Sequence, residues 1–176
     1  MRKNRGGTGA ENRQAIYIDT NVYLSYVFKH EDTSRPSREV INKISNSVKM
    51  NPDIVVKLPA IILAEVHYNI LKNINQLNQS LDYYWDFDGV LRKLNVVFEK
   101  PNYSIFQVAL NIREVDDRIE PSDALAIAHA LCDSHSVYFI TFDSDILRSS
   151  RIRELEEKMR NEGKRVKRLK FSAEYG

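Results

Sequence analysis

Short runs of β-branched and aromatic residues alternate along this chain with longer stretches of helical apolar spacing, and that alternation constrains the fold more than any single motif. Ala15 to Ile18, Asp53 to Leu58, Val96 to Phe98 and Val137 to Phe142 read as strands. Val22 to Phe28, Val40 to Val48, Pro59 to Ile74, Ser80 to Leu94, Tyr103 to Val115 and the stretch opening at Pro121 read as helices. Ile146 to Met159 predicts one further helix, and Arg165 to Leu169 a basic edge strand. Strands separated by helices of this length favour an α/β fold: a mostly parallel central sheet of four to five strands with helices on both faces, three layers α/β/α. In such a sheet the strand C-termini share one edge, where right-handed crossovers gather the residues that come after each strand.

The length of 176 residues fits one domain, predicted over residues 15 to 170, that buries a core without disulfides or structural metal. Residues 1 to 14 lack apolar periodicity and predict a flexible basic leader, and residues 171 to 176 a tail. Gly6-Gly7-Thr8-Gly9 is not a phosphate loop, because no strand precedes it and no Gly-Lys-Ser/Thr comes after it. Cys132 has no partner for an internal disulfide, and no long uncharged apolar run or signal-like segment is present, so a soluble cytoplasmic protein is expected, with no membrane contact. The net charge of +2 conceals a basic end, Arg148 to Lys170, opposite an acidic middle. A basic stretch is a solvated helix face or a contact for polyanions.

The chemistry lies in the acids. Asp19 comes after the first strand in the turn Asp19-Thr20-Asn21, where an Asp serves as a helix cap or as part of a site at the sheet edge. Glu65 stands among Ile61, Ile62, Leu63, Ala64 and Val66, where a carboxylate is costly to bury unless paired, hydrogen-bonded or metal-bound. Asp123 occupies the first turn of its helix, which the helix dipole also favours. Asp143 and Asp145 come directly after the most strand-like run of the chain. Gathered at one edge, four carboxylates repel by roughly 4 kcal/mol per close pair at an effective dielectric near 20, and a cation must offset that. An oxygen-only donor set points to Mg²⁺ or Mn²⁺ rather than zinc. His30, His67, His129 and His135 lack metal-ligand spacing, and Cys132 sits in an apolar helix without a nucleophile motif. Tyr83, Tyr84, Trp85 and Phe87 suit core packing, a dimer surface or base stacking.

IDTNVYL, PAIILAEV, SDALAIAHAL and YFITFDSDIL, in this order across Ala15 to Leu169, resemble the PIN-domain nucleases, which include the toxin ribonucleases of toxin–antitoxin pairs. The resemblance implies a divalent-metal-dependent endoribonuclease leaving a 5′-phosphate and a 3′-hydroxyl. It places Asp19, Glu65, Asp123 and Asp143 at the acidic metal positions and Asn21 and Thr141 at the polar positions beside the first and last acids. Asp145 would replace or assist Asp143, and Asp116 or Asp117 would supply an outer carboxylate. Arg148, Arg151 and Arg153 are then the expected RNA contacts. A homodimer and an antitoxin-like partner are implied by the resemblance alone. The alternatives are a non-catalytic PIN scaffold that binds RNA or a partner protein, and a structure-specific DNA nuclease. A haloacid-type phosphatase would want an Asp where Asn21 stands.

Overall fold

Gln14–Ile18 (β1) lies at the centre of the sheet in the computed structural model, which describes residues 13–29, 32–73, 77–165 and 167–176. Most of the expected leader, and His30, lie outside the described residues. Ala15 to Ile18 are all buried, as expected of an apolar strand covered on both faces. β1 pairs in parallel with β2 (Ile54–Pro59) on one side and with β4 (Ser136–Ile140) on the other. β3 (Val97–Glu99) and β5 (Lys170–Ser172) form the edges, giving a five-stranded, all-parallel sheet of order β3-β2-β1-β4-β5.

The helices are α1 (Thr20–Phe28), α2 (Ser34–Met50), α3 (Ala60–Lys72), α4 (Leu77–Leu94), α5 (Tyr103–Val115), α6 (Pro121–Cys132), α7 (Ser144–Arg148) and α8 (Ser150–Asn161). α1 to α4 pack on one another, α5 packs on α6 and α8, and with the sheet they form the three-layer α/β/α fold. Val22, Ile41, Ile44, Leu58, Ile62 and Val66 are buried on the first side, each contributing roughly 1.5–3 kcal/mol through the apolar surface it removes from water. On the second side α6 is rich in buried alanine, Ala124, Ala126, Ala128 and Ala130, and these small side chains let α5 and the sheet approach closely. Among the described residues no helix is long and apolar enough to cross a membrane.

Two elements depart from the sequence reading. The expected helix Ile146 to Met159 is interrupted at Ser149, whose backbone is extended (φ −66°, ψ 107°) and whose hydroxyl caps α8 by accepting from Ile152 N at 3.2 Å. The same hydroxyl donates to Asp116 Oδ2 at 2.7 Å, so a distant acid holds the break in place. The edge strand forms at Lys170–Ser172 instead of Arg165 to Leu169, so part of the expected tail belongs to the sheet. Arg165 is buried, and its guanidinium donates to the carbonyls of Ala130, Leu131, Asp133 and Ser136. It satisfies the last carbonyls of α6, which a helix end leaves without partners.

The aromatic run on α4 is divided by packing. Phe87 is buried edge-on to Tyr23, with ring centroids 5.5 Å apart, and Tyr83 and Tyr84 lie against Phe28 and His67. Trp85 remains 68% exposed.

Candidate active site

The chain runs outward from β1 through β2 to β3, then crosses back to place β4 on the other side of β1. The strand order therefore reverses between β1 and β4, and the crevice beyond the C-terminal ends of two such strands is where open α/β sheets bind ligands. Ile18 is in register with Ile140, so the next residues, Asp19 and Thr141, stand side by side at that crevice. Asp19 N donates to Ile140 O at 2.8 Å, extending the ladder by one bond to the acid itself.

Asp19 is 2% exposed and caps α1. Its carboxylate accepts from Thr20 N at 2.7 Å, from Asn21 Nδ2 at 2.7 Å and from Thr141 Oγ1 at 2.6 Å. Asn21 also donates to Thr141 Oγ1 at 3.0 Å, and its own Oδ1 accepts from Phe142 N at 3.1 Å. Asn21 and Thr141 thus lock the two loops together around Asp19. Thr20 extends the connection to α3, donating through Oγ1 to Glu65 Oε2 at 2.6 Å. Asp143 caps α7, accepting from Asp145 N at 2.6 Å and Ile146 N at 3.3 Å, while its own N–H donates to Thr141 Oγ1 at 2.9 Å.

Electrostatics ties these acids together. Burial pushes the Asp19 carboxyl up to about 6; the hydrogen bonds from Thr141 and Thr20 oppose the rise, and the charges of Glu65 and Asp143 add to it. Burial also pushes Asp123 up to about 7, with the charges of Asp19, Glu65, Asp143 and Glu120 adding to the rise. Asp19, Glu65, Asp123 and Asp143 therefore share one field, contributed by the end of β1, α3, the first turn of α6 and the end of β4. Among the described residues no group of three or more His, Cys, Asp or Glu side chains stands arranged to hold a metal ion. The donor set is of the kind a hard cation takes, every oxygen belonging to a carboxylate, and the neighbouring acids add to a rise that burial causes first.

The other expected acids lie elsewhere. Asp116 is fully buried in a bidentate pair with Arg118, at 2.8 and 2.7 Å, which holds its carboxyl well below the usual range. Its carboxylate anchors Arg118 and Ser149. The charges of Asp117 and Asp145 both act on Arg118. Of the expected RNA contacts, Arg148 is exposed at the end of α7, Arg151 donates to Val115 O at 2.6 Å, and Arg153 donates to Leu147 O at 2.9 Å. Thr20 is the residue that sequence reading passed over; its signal was a hydroxyl on the turn immediately beside an acid at a strand end. Cys132 is half-buried and packed against the core, and burial pushes its thiol up.

The family model of the PIN domain matches residues 16–152. The chain belongs to the PIN-domain family. PIN domains are in general nucleases, hydrolases that use divalent metal ions. Among solved structures, the chain is similar to VapBC2 from Rickettsia felis bound to a DNA fragment from their promoter, with a TM-score of 0.57 and 17% identity. The match covers 78% of this PIN protein and 95% of that chain, a likeness of fold. No curated protein matches the chain significantly by sequence.

Proposed function

We propose that this PIN domain is an Mg²⁺- or Mn²⁺-dependent endoribonuclease acting through Asp19, Glu65, Asp123 and Asp143. The observation that carries the reading is the pair of raised carboxyls, Asp19 at about 6 and Asp123 at about 7, sharing a field with Glu65 and Asp143 at the strand-order reversal. Buried carboxylates that also repel one another are relieved by a cation. When bound, the ion supplies neutralisation of the acids and polarisation of the scissile phosphodiester. Asp19 is held in one orientation by its three donors, and Thr20 fixes Glu65 beside it. Asp143 is turned by its cap contacts, and Asp123 joins the set from the first turn of α6. Arg148 offers an exposed guanidinium for the phosphate backbone, with Arg151 and Arg153 contributing through whatever donors their carbonyl bonds leave free. Asp145 assists through its backbone N–H to Asp143. Cytoplasmic residence, a homodimer and an antitoxin-like partner belong to the same reading.

The test is incubation of the purified protein with labelled single-stranded RNA, structured RNA and single-stranded DNA in Mn²⁺, Mg²⁺ or EDTA. Metal-dependent RNA cleavage that disappears in Asp19→Asn is expected. Cleavage of DNA alone, or cleavage in EDTA, would refute the reading.

A further inference from the structure

α1 and α3 leave two neighbouring parallel strands, β1 and β2, from the same edge of the sheet, and Thr20 joins them there by its bond to Glu65 at 2.6 Å. Residues four apart share a helix face, so Leu24 and Asn69 take the corresponding places one turn on, and Phe28 and Asn73 a turn beyond that. Leu24, Phe28, Asn69 and Asn73, with Tyr83 from α4, line a groove of about 350 Å³. That volume falls in the range of small-ligand clefts, roughly 300–1,000 Å³. The groove therefore continues the contact that positions Glu65. At a rise of 1.5 Å per residue, Asn69 and Asn73 stand about 6 and 12 Å beyond Glu65 along α3.

The lining is aromatic and amide, and none of the five side chains carries a charge. Phe28 and Tyr83 meet edge to face, with ring centroids 4.9 Å apart. Asn69 Nδ2 donates to Glu65 O and Asn73 Nδ2 to Asn69 O, each at 2.9 Å, which holds both amides against α3. An amide has two N–H donors and an oxygen with two lone pairs, so each keeps capacity beyond that one bond. Asn73 is exposed and the other four are half-buried, which leaves the groove open to solvent.

We propose that this groove is a base pocket: an unpaired nucleobase of the RNA strand held at the acid cluster enters between α1 and α3, stacks on the Phe28 and Tyr83 rings, and is hydrogen-bonded along its edge by Asn69 and Asn73. The occupant rests on the proposed ribonuclease activity, since the groove opens from Glu65 within reach of the nucleotides that adjoin the cut phosphate. The lining selects the base over the rest of the nucleotide. An uncharged wall offers little to a phosphate, whereas rings and amides match the flat face and the mixed donors and acceptors of a base. Tyr83 is then the member of the α4 aromatic run that serves stacking, while Phe87 serves the core.

The test uses the full chain in EDTA, where metal-dependent cutting is off, and follows the fluorescence anisotropy of a labelled heptaribonucleotide and of seven counterparts that each lack one base. Loss of the base at one position, or at two adjacent positions, should weaken binding about tenfold, and loss elsewhere should change it little. Asn69→Ala and Tyr83→Leu should each bring the intact strand toward the affinity of that abasic strand and leave the abasic strand itself unchanged. If Tyr83→Leu does not fold, Asn69→Ala carries the comparison. Absence of binding, equal effects at every position, or a base dependence that Asn69→Ala keeps would overturn the proposal. Metal-dependent RNA cleavage without base dependence would remove the pocket and leave the ribonuclease. Base-dependent binding erased by Asn69→Ala, with no cleavage in Mn²⁺ or Mg²⁺, would keep the pocket and remove the ribonuclease.

Discussion

Replacing Asp19 by Asn tests whether the buried carboxylate is held against its own charge. The carboxyl rises from an ordinary 3.8 to about 6, so the folded protein binds a proton there that the unfolded chain has released. Stability from this group is complete below pH 3.8 and is lost as pH rises through about 6. At about 1.4 kcal/mol per pH unit, the rise corresponds to about 3 kcal/mol of metal-free stability. Asn carries no charge, and its amide nitrogen meets the amide nitrogen of Asn21 where Oδ2 had accepted. The unpaired donor costs about 1–3 kcal/mol at every pH. Asp19→Asn should therefore be less stable than the wild type near pH 4 and equal to it or more stable near pH 8. Urea unfolding in EDTA across that range measures the difference, which should move by about 3 kcal/mol in favour of the variant. Parallel curves for the two proteins would refute the reasoning, since the charge at Asp19 would then carry no penalty.

Thr141→Val removes the donor to Asp19 Oδ2 and the acceptor for Asp143 N. The acid limb of the cleavage profile should move upward in pH, with about 1–3 kcal/mol of stability lost in urea; an unmoved limb counts against Thr141 tuning Asp19. Arg165→Met leaves α6 carbonyls without their donor and removes one of the two cations beside the buried Glu156, 3.5 Å away in the wild type, with Arg160 remaining at 3.7 Å. It should cost roughly 3–5 kcal/mol in urea unfolding, and a loss below about 1 kcal/mol would show that water replaces the guanidinium.

Much of this was legible because local pattern and tertiary role agree. The buried runs ending at Ile18 and Ile140 announced strands, and parallel strands deliver the residues at their C-terminal ends to one edge of the sheet. Glu65 was legible through its isolation, for a carboxylate among aliphatics needs a partner, and Thr20 is one. The hidden features depend on contacts between distant residues. Ile146 to Met159 is continuous in helical spacing, and the break at Ser149 is held by Asp116, 33 positions earlier. Arg165 reads as one charge in a basic stretch until α6 presents its terminal carbonyls to it. Asp145 looks equivalent to Asp143 until the α7 cap is seen, in which Asp143 accepts and Asp145 offers its backbone N–H.

The hydrogen bond from Thr141 to Asp19 spans 122 positions of chain. At a synthesis rate of roughly 5–20 residues per second, Asp19 waits some 6–24 s for that partner after it is made. Under the proposed ribonuclease activity, the chain's own message and ribosome are the RNA nearest to it during that interval. A topology that places β4 beside β1 only after β2 and β3 are in hand is therefore also a timer. The proposed cutting centre cannot be completed until its second central strand has been read, so a product broken off before that strand would lack it.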